Sequence, residues 1–483
     1  MQNSARLAWS LSALPGLAIA VLLIGSLLLV HFSVRAQPLP IRRPLDVDRR
    51  LPLPEVGQAS TVFSLTALFG AYLGIYLILG IPAFAGIACG TVVSLFVIRS
   101  WIRYHQSLTF EDFLLSILAG GIRNASAFAL MVAAVQCAYA TSELLLLREI
   151  SKLLLGLSSD YATLLAVATG LIGYFYVLFG GYLAIYRTDI LQLMLVGIMA
   201  VAFAVQFMES DFLSSPASSI WPRPGYWEIP LFGSTSEYLK YLFHFIVGAV
   251  MGFGLLAAAP DAWKRVFVVT VLRENTLLRF AAFVGVGVAP FIMLLPLAAA
   301  TPPIPNGPFN TGQMFSGLLA NETLFVAAAL GLIASFLSAF NSAFLASVHV
   351  TLILQRKLHN IDSETGRFHW LMTTMLITIF CLFEGLLSFE NPYLLANLLL
   401  GPYAVVAGMQ AGTKAMPARL VEGSVLWIGV LGFVGWFLYV SYTIGLPKAP
   451  TTYEVNTVVG GVGLFLVVAF ICRILSMVSP KDA

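Results

Sequence analysis

The stretch "GGYLAIYRTDILQL", residues 180–193, sets a double glycine, Arg187, Asp189 and Gln192 between two long apolar runs. Glycine opens backbone angles closed to other residues, so Gly180 and Gly181 predict a sharp turn. Asp189 then falls in the first turn of the helix that follows. A carboxylate there suits the positive end of the helix dipole, and Arg187 offers a partner. Read this way, the stretch is a charged helix start that joins two membrane spans.

The bulk composition supports the membrane setting. Hydrophobic residues make up 59 % of the 483 and charged residues 10 %, with a mean hydropathy of +0.90. A soluble domain carries roughly a quarter charged residues, so most of this surface faces lipid. Repeated apolar runs reach the length of about 20 residues that a helix needs to cross about 30 Å of hydrocarbon. Numbered from 0, thirteen spans are expected at about 9–33, 60–79, 81–99, 113–143, 161–181, 188–207, 240–259, 280–300, 323–353, 370–389, 393–413, 422–443 and 455–475. The runs 113–143 and 323–353 are long enough to tilt or to extend past the bilayer. Residues 8–33 read as a retained first helix instead of a signal peptide, because the apolar run is too long and the basic cluster follows it.

Charge orients these spans. With the N-terminus outside, the cytoplasmic loops hold 19 of the 26 Lys and Arg residues and the external loops 6, with Arg123 inside span 3. Cytoplasmic loops are the ones enriched in Lys and Arg, so the N-terminus is expected outside and the C-terminus inside. The expected location is the plasma membrane, or the inner membrane of a bacterium. The external loop 208–238 carries Trp221, Trp227 and several prolines, like an interfacial segment, and 301–322 is its turn-rich equivalent. The net charge of +3 is dispersed over short loops, which gives no nucleic-acid surface. Cys89, Cys137, Cys381 and Cys472 lie in apolar runs at unrelated spacings and read as packing residues. Zinc, nucleotide and haem motifs are absent. No enzymatic activity and no cofactor are expected.

Several motifs resemble the sodium:solute symporter family, the sodium/glucose and sodium/proline type. "YVLFGGYLAIYRTDILQ" (176–192) resembles the family signature of Gly-Gly-x-x-Ala followed by Thr-Asp-x-x-Gln, with Gly180, Gly181, Thr188, Asp189 and Gln192 on its positions. "TFEDFLLSILAGGIR" (109–123) resembles the entry to span 3, with Asp112 at a Glu position. "PDAWKRVF" (260–267) resembles the Asp-Gln-x-x-x-Arg exit from span 6, through Asp261 and Arg265. "ASFLSAFNSAFLAS" (334–347) resembles the Ala- and Ser-rich span 8, and "LILGIPAFAG" (77–86) the Gly-x-Pro end of span 1 in the proline branch. The likeness covers roughly 60–475, in the family's order and with its topology.

The resemblance implies a leucine-transporter-like core of two inverted five-helix repeats. Residues 1–59 would be an extra N-terminal helix and basic loop, 60–207 the first repeat, 208–239 an external loop, 240–413 the second repeat, and 414–483 two peripheral helices. Solute and sodium would bind at mid-membrane, where spans 1 and 6 are broken. Sodium would be held by backbone carbonyls near Gly70 and Leu73 and by hydroxyls of span 8. Sodium is hard and takes oxygen, and a broken helix frees carbonyls. The paired hydroxyl positions fall on Ser338 and Ala339, and a carbonyl position falls on Ser335. One hydroxyl is therefore replaced by Ala339, and the acidic residue of the proline branch by Tyr72. Asp189 keeps the carboxylate that the family uses near its cytoplasmic sodium path.

Polar groups are expensive inside a membrane, which makes them site candidates. For solute these are Tyr72, Tyr76, Gln136, His244, Asn341, Asn397 and Tyr403, with Asn124, Ser342 and His349 as further embedded polar residues. Glu143 and Glu384 fall near outer span ends, and the core spans hold no evident Lys or Arg for an anion. The expected solute is neutral or zwitterionic, of the proline, amino-acid or sugar type, with sodium as coupling ion. Proton coupling through His244 or His349 is a variant. The alternative is a sensor or binding subunit with a degenerate sodium site that signals through a separate partner.

Overall fold

The computed structural model describes residues 69–105, 122–154, 157–209, 235–257, 259–271, 322–359 and 364–387. Among the described residues there are seven helices and no strand. They are α1 (Phe69–His105), α2 (Ile122–Leu154), α3 (Ser159–Glu209), α4 (Thr235–Ala257), α5 (Pro260–Val271), α6 (Glu322–His359) and α7 (Glu364–Leu387). Among the described residues, four segments are long and apolar enough to cross a membrane: Ala85–Arg103, Ser159–Phe179, Ala329–Leu352 and His369–Leu387. Large apolar side chains stand exposed in helical stripes, such as Leu164, Leu171, Phe175 and Phe179 on α3, while Gln136, His244 and Asn341 are buried. Apolar surface with polar interior is the pattern of an integral membrane protein. Expected spans 8 and 9 coincide closely with α6 and α7. Expected spans 0, 7, 10, 11 and 12 lie outside the described residues.

The described helices fall into two compact units. The first contains the end of α2, α3 and the first half of α6. Ser158 caps α3: its carbonyl accepts from the Ala162 amide at 3.0 Å and its hydroxyl from the Tyr161 amide at 3.4 Å. Arg148 ties α2 to that start, donating to Thr163 Oγ1 at 2.9 Å and to Ser159 Oγ at 2.6 Å while pairing with Glu149.

From there α3 runs unbroken for 51 residues. The turn expected at Gly180–Gly181 is therefore corrected: the backbone stays helical through the whole motif. In an apolar surrounding, each amide left without a partner costs several kcal/mol, whereas a glycine inside a helix costs about 1. The helix still cannot be straight. Gly173 packs on Asn341, and Asp189 bonds to Ser338, within one turn of α6. Between residues 173 and 189 a straight helix would advance about 24 Å and rotate its side chains by about 160°. A bend between Gly173 and Asp189 reconciles the two contacts.

The second unit contains most of α1, the first part of α2, α4, α5, the end of α6, and α7. Expected spans 1 and 2 merge in α1, with Pro82 inside the helix. The interruption expected within span 6 is likewise not seen: α4 is continuous from Thr235 to Ala257. The reason is how α1 and α4 pack. Gly86 and Gly90 face α4, and Gly248 and Gly252 face α1, at backbone contact. A methyl on Gly86 would lie 2.1 Å from the Phe245 carbonyl oxygen, and one on Gly248 2.0 Å from that of Ala83. Two Gly-x-x-x-Gly faces pressed together need regular helices on both sides. After α4, Pro260 opens α5, a position where its missing amide costs nothing. The Ala259 amide closes the junction on the Leu256 carbonyl at 3.0 Å. Further out, Cys137 Sγ lies 3.5 Å from Met375 Sδ between α2 and α7, consistent with a packing role.

Gly248→Leu should force α1 and α4 apart and cost several kcal/mol, because the obstacle is backbone and cannot rotate away. Gly197→Leu, with open space around it, should cost nothing and gain about 0.5–1 kcal/mol of helix propensity. Thermal melting in detergent compares the two, and equal loss in both would contradict the packing.

Candidate functional site

The polar face of the first unit is built by α3 and α6. Both helices present small or polar residues at helical spacing: Thr188, Asp189 and Gln192 on one, Ser335, Ser338 and Asn341 on the other. Every residue of α6 from Ile333 to Val350 is buried, so its hydroxyls and carboxamide have no access to bulk solvent. Ser338 Oγ donates to Asp189 Oδ1 at 3.0 Å, with Asp189 2 % and Ser338 3 % exposed. A buried carboxylate costs several kcal/mol in desolvation, so its placement on a hydroxyl 149 residues away is a specific feature of the fold.

The neighbouring contacts fix the register. A methyl on Gly331 would lie 2.3 Å from Met199 Cβ and 2.8 Å from the Leu195 carbonyl oxygen. With Asp189 opposite Ser338, this makes α3 and α6 antiparallel along the site. Ser335 Oγ donates to the Gly331 carbonyl at 3.0 Å, which leaves its lone pairs as acceptors. Thr188 Oγ1 bonds to the Ile185 carbonyl at 3.0 Å. The side-chain amides of Gln192 and Asn341 are buried, and neither their nitrogen nor their oxygen atoms have hydrogen-bond partners.

Of the residues the sequence singled out, the structure joins Asp189 to Ser338, with Gln192 one turn further along α3 and Ser335 and Asn341 one turn away on α6. The capping role expected for Asp189 is corrected: it lies 30 residues inside α3 and bonds to another helix. The side chain of Arg187 lies outside the described set. Ala339, the missing hydroxyl, is buried beside Ser338. Gly70 and Leu73 stand in the opening turns of α1, where helical carbonyls accept from amides four residues on. The side chains of Tyr72 and Tyr76 are outside the described set, as are Asn397 and Tyr403 altogether. Gln136 and His244 are buried in the second unit, on α2 and α4. The motif pair Asp261 and Arg265 forms an ion pair at 2.7 Å with both side chains buried. Their i, i+4 spacing on α5 puts them on one face and makes that pairing local.

Two features escaped the sequence reading. The glycines at 86, 90, 248 and 252 have a legible Gly-x-x-x-Gly spacing that went unused. Gly173 carries no such signal: it is a niche into which Asn341 and Phe340 fit, and only the partner helix reveals it.

No protein-family model and no curated protein matches this sequence. The fold is similar to solved structures. One is the substrate-bound outward-open state of a Na+-coupled sialic acid symporter, 14 % identical, with a TM-score of 0.56 over 95 % of this chain and 98 % of that one. An Eremococcus coleocola manganese transporter is 11 % identical with a TM-score of 0.47, over 89 % of this chain and 99 % of that one. Mhp1, a nucleobase-cation-symport-1 family transporter, is 12 % identical with a TM-score of 0.48, over 86 % and 91 %. At 14 % identity the first likeness is one of fold, and it extends over nearly the whole of both chains.

Gly173→Ala should destabilise the α3–α6 contact by about 1–3 kcal/mol, since its methyl would sit 2.3 Å from Asn341 Oδ1. Pairing it with Asn341→Ala should restore much of the loss. An unchanged melting temperature in the single variant would remove this contact from the site.

Proposed function

We propose that this protein is a secondary active transporter that moves a small neutral or zwitterionic solute by alternating access, coupled to sodium. The observation that carries the proposal is the buried Asp189–Ser338 pair between α3 and α6. It sets a carboxylate and a hydroxyl face to face at 3.0 Å, two hard oxygen donors with a single negative charge. A monovalent cation of sodium's character takes such ligands, and burial strengthens its attraction to the carboxylate. The likeness of fold to a Na+-coupled sialic acid symporter supports the same reading. Ser338 keeps the role the motif resemblance gave it, but with Asp189 as partner in place of the span 1 carbonyls.

In this reading the thirteen-span arrangement, with an outside N-terminus and two inverted repeats, supplies the two half-membrane gates. Solute would bind through the embedded polar residues, among them Gln136 and His244. The sodium:solute symporter motifs support membership of that family. Replacement of a family hydroxyl by Ala339 implies modest sodium affinity, because each oxygen removed from the shell weakens it.

Counterflow and uptake in proteoliposomes, with a panel of amino acids, sugars and carboxylates, test the proposal. Saturable uptake of a neutral or zwitterionic solute is expected, stimulated by an inward sodium gradient. Ser338→Ala should abolish the sodium response while melting stays within about 1 kcal/mol of native, since the change removes little packing. Uptake of no solute at all would favour the sensor reading. Tight sodium dependence unaffected by Ser338→Ala would move the cation elsewhere.

A further inference from the structure

We infer that Gln192 completes the cation site begun by Asp189 and Ser338 and, because its carboxamide is neutral, sets that site for a monovalent ion. This rests on the proposed cation-coupled reading and adds to it a ligand and a selectivity rule.

Gln192 follows Asp189 by three residues on α3, so the two side chains leave the same face of the helix. That face is the one turned to α6, because Asp189 bonds Ser338 there and Met199, further along, packs on Gly331. The antiparallel register sets the Gln192 position at the level of Ser335, a small residue. Gln192 is 2 % exposed, and both Oε1 and Nε2 are buried without a hydrogen-bond partner. Leaving such groups unsatisfied costs about 1–3 kcal/mol each, so a site that keeps them there has a use for them.

The chemistry of the group fits a cation. Oε1 is a hard oxygen with two lone pairs, while Nε2 donates away from the ion. With Asp189 and Ser338 it makes three side-chain oxygens and one negative charge. One charge balances a monovalent ion. A divalent ion in the same buried place would keep a net positive charge, which low dielectric penalises heavily. Sites for calcium are tuned by the number of charged ligands, so changing the carboxamide to a carboxylate should change the ion accepted.

The test uses the full chain in detergent, titrated with NaCl and with CaCl2 at constant ionic strength and read by melting temperature. Native protein should be stabilised by sodium and not by calcium. Gln192→Leu should weaken the apparent sodium affinity about tenfold, the loss of one ligand to a charged partner. Gln192→Glu should add a stabilisation by calcium that native protein lacks. The Gln192→Glu arm also keeps the test decisive if Gln192→Leu fails to fold. If Asp189→Asn abolishes the sodium response while both Gln192 variants titrate like native protein, the role of Gln192 is refuted and the transporter reading stands. If native protein shows no response to sodium, both fall together.

Discussion

A carboxylate buried between two helices constrains what surrounds it. Asp189 is 2 % exposed and receives the Ser338 hydroxyl at 3.0 Å. Because Gly173 packs on Asn341 while Asp189 meets Ser338 one turn away, α3 bends between residues 173 and 189, and α6 is buried from Ile333 to Val350. The glycines at 173 and 331 serve that geometry, since each lets the partner helix approach to a distance that a methyl would forbid. The bend, the niche and the antiparallel register are therefore consequences of one requirement. A charge is to be kept in a medium where it is expensive, at a place where an ion can use it.

The second unit solves a different problem with similar means. Between α1 and α4 there is no hydrophobic driving force of the kind that folds soluble proteins, because lipid is as apolar as the helices. Association then depends on close van der Waals packing, which Gly86, Gly90, Gly248 and Gly252 permit by removing side chains from the interface. The cost is flexibility in the unfolded chain. The return is a backbone-to-backbone contact that fixes the two helices in register, and with it the regular, unbroken course of both.

Much of this was legible in the sequence, and what was not has identifiable causes. The extents of α6 and α7 could be read from apolar runs because a span has one dominant signal, its length. Asp189, Ser338 and Gln192 could be named from their motifs. Their mutual contact could not, because residues 149 apart in the chain are joined only by the packing of two helices. The sequence reading expected a turn at Gly180–Gly181 and a separation of spans 1 and 2 at residue 80. In lipid the pressure to keep backbone hydrogen bonds is stronger, so α3 bends without interruption, while α1 runs on with Pro82 inside it. Gln192 looked like a motif residue of structural use. Its orphaned amide became visible only when the surrounding side chains were in place.

Whether Asp189 and Ser338 act on the cation as one site is decided by a double-mutant cycle in apparent sodium affinity, using Asp189→Asn, Ser338→Ala and the combined variant. If both oxygens hold the same ion, the combined variant binds sodium no more weakly than Asp189→Asn alone, and the two losses are strongly non-additive. Independent losses that multiply would show that the hydroxyl and the carboxylate serve different ends, and would leave their 3.0 Å contact a matter of packing alone.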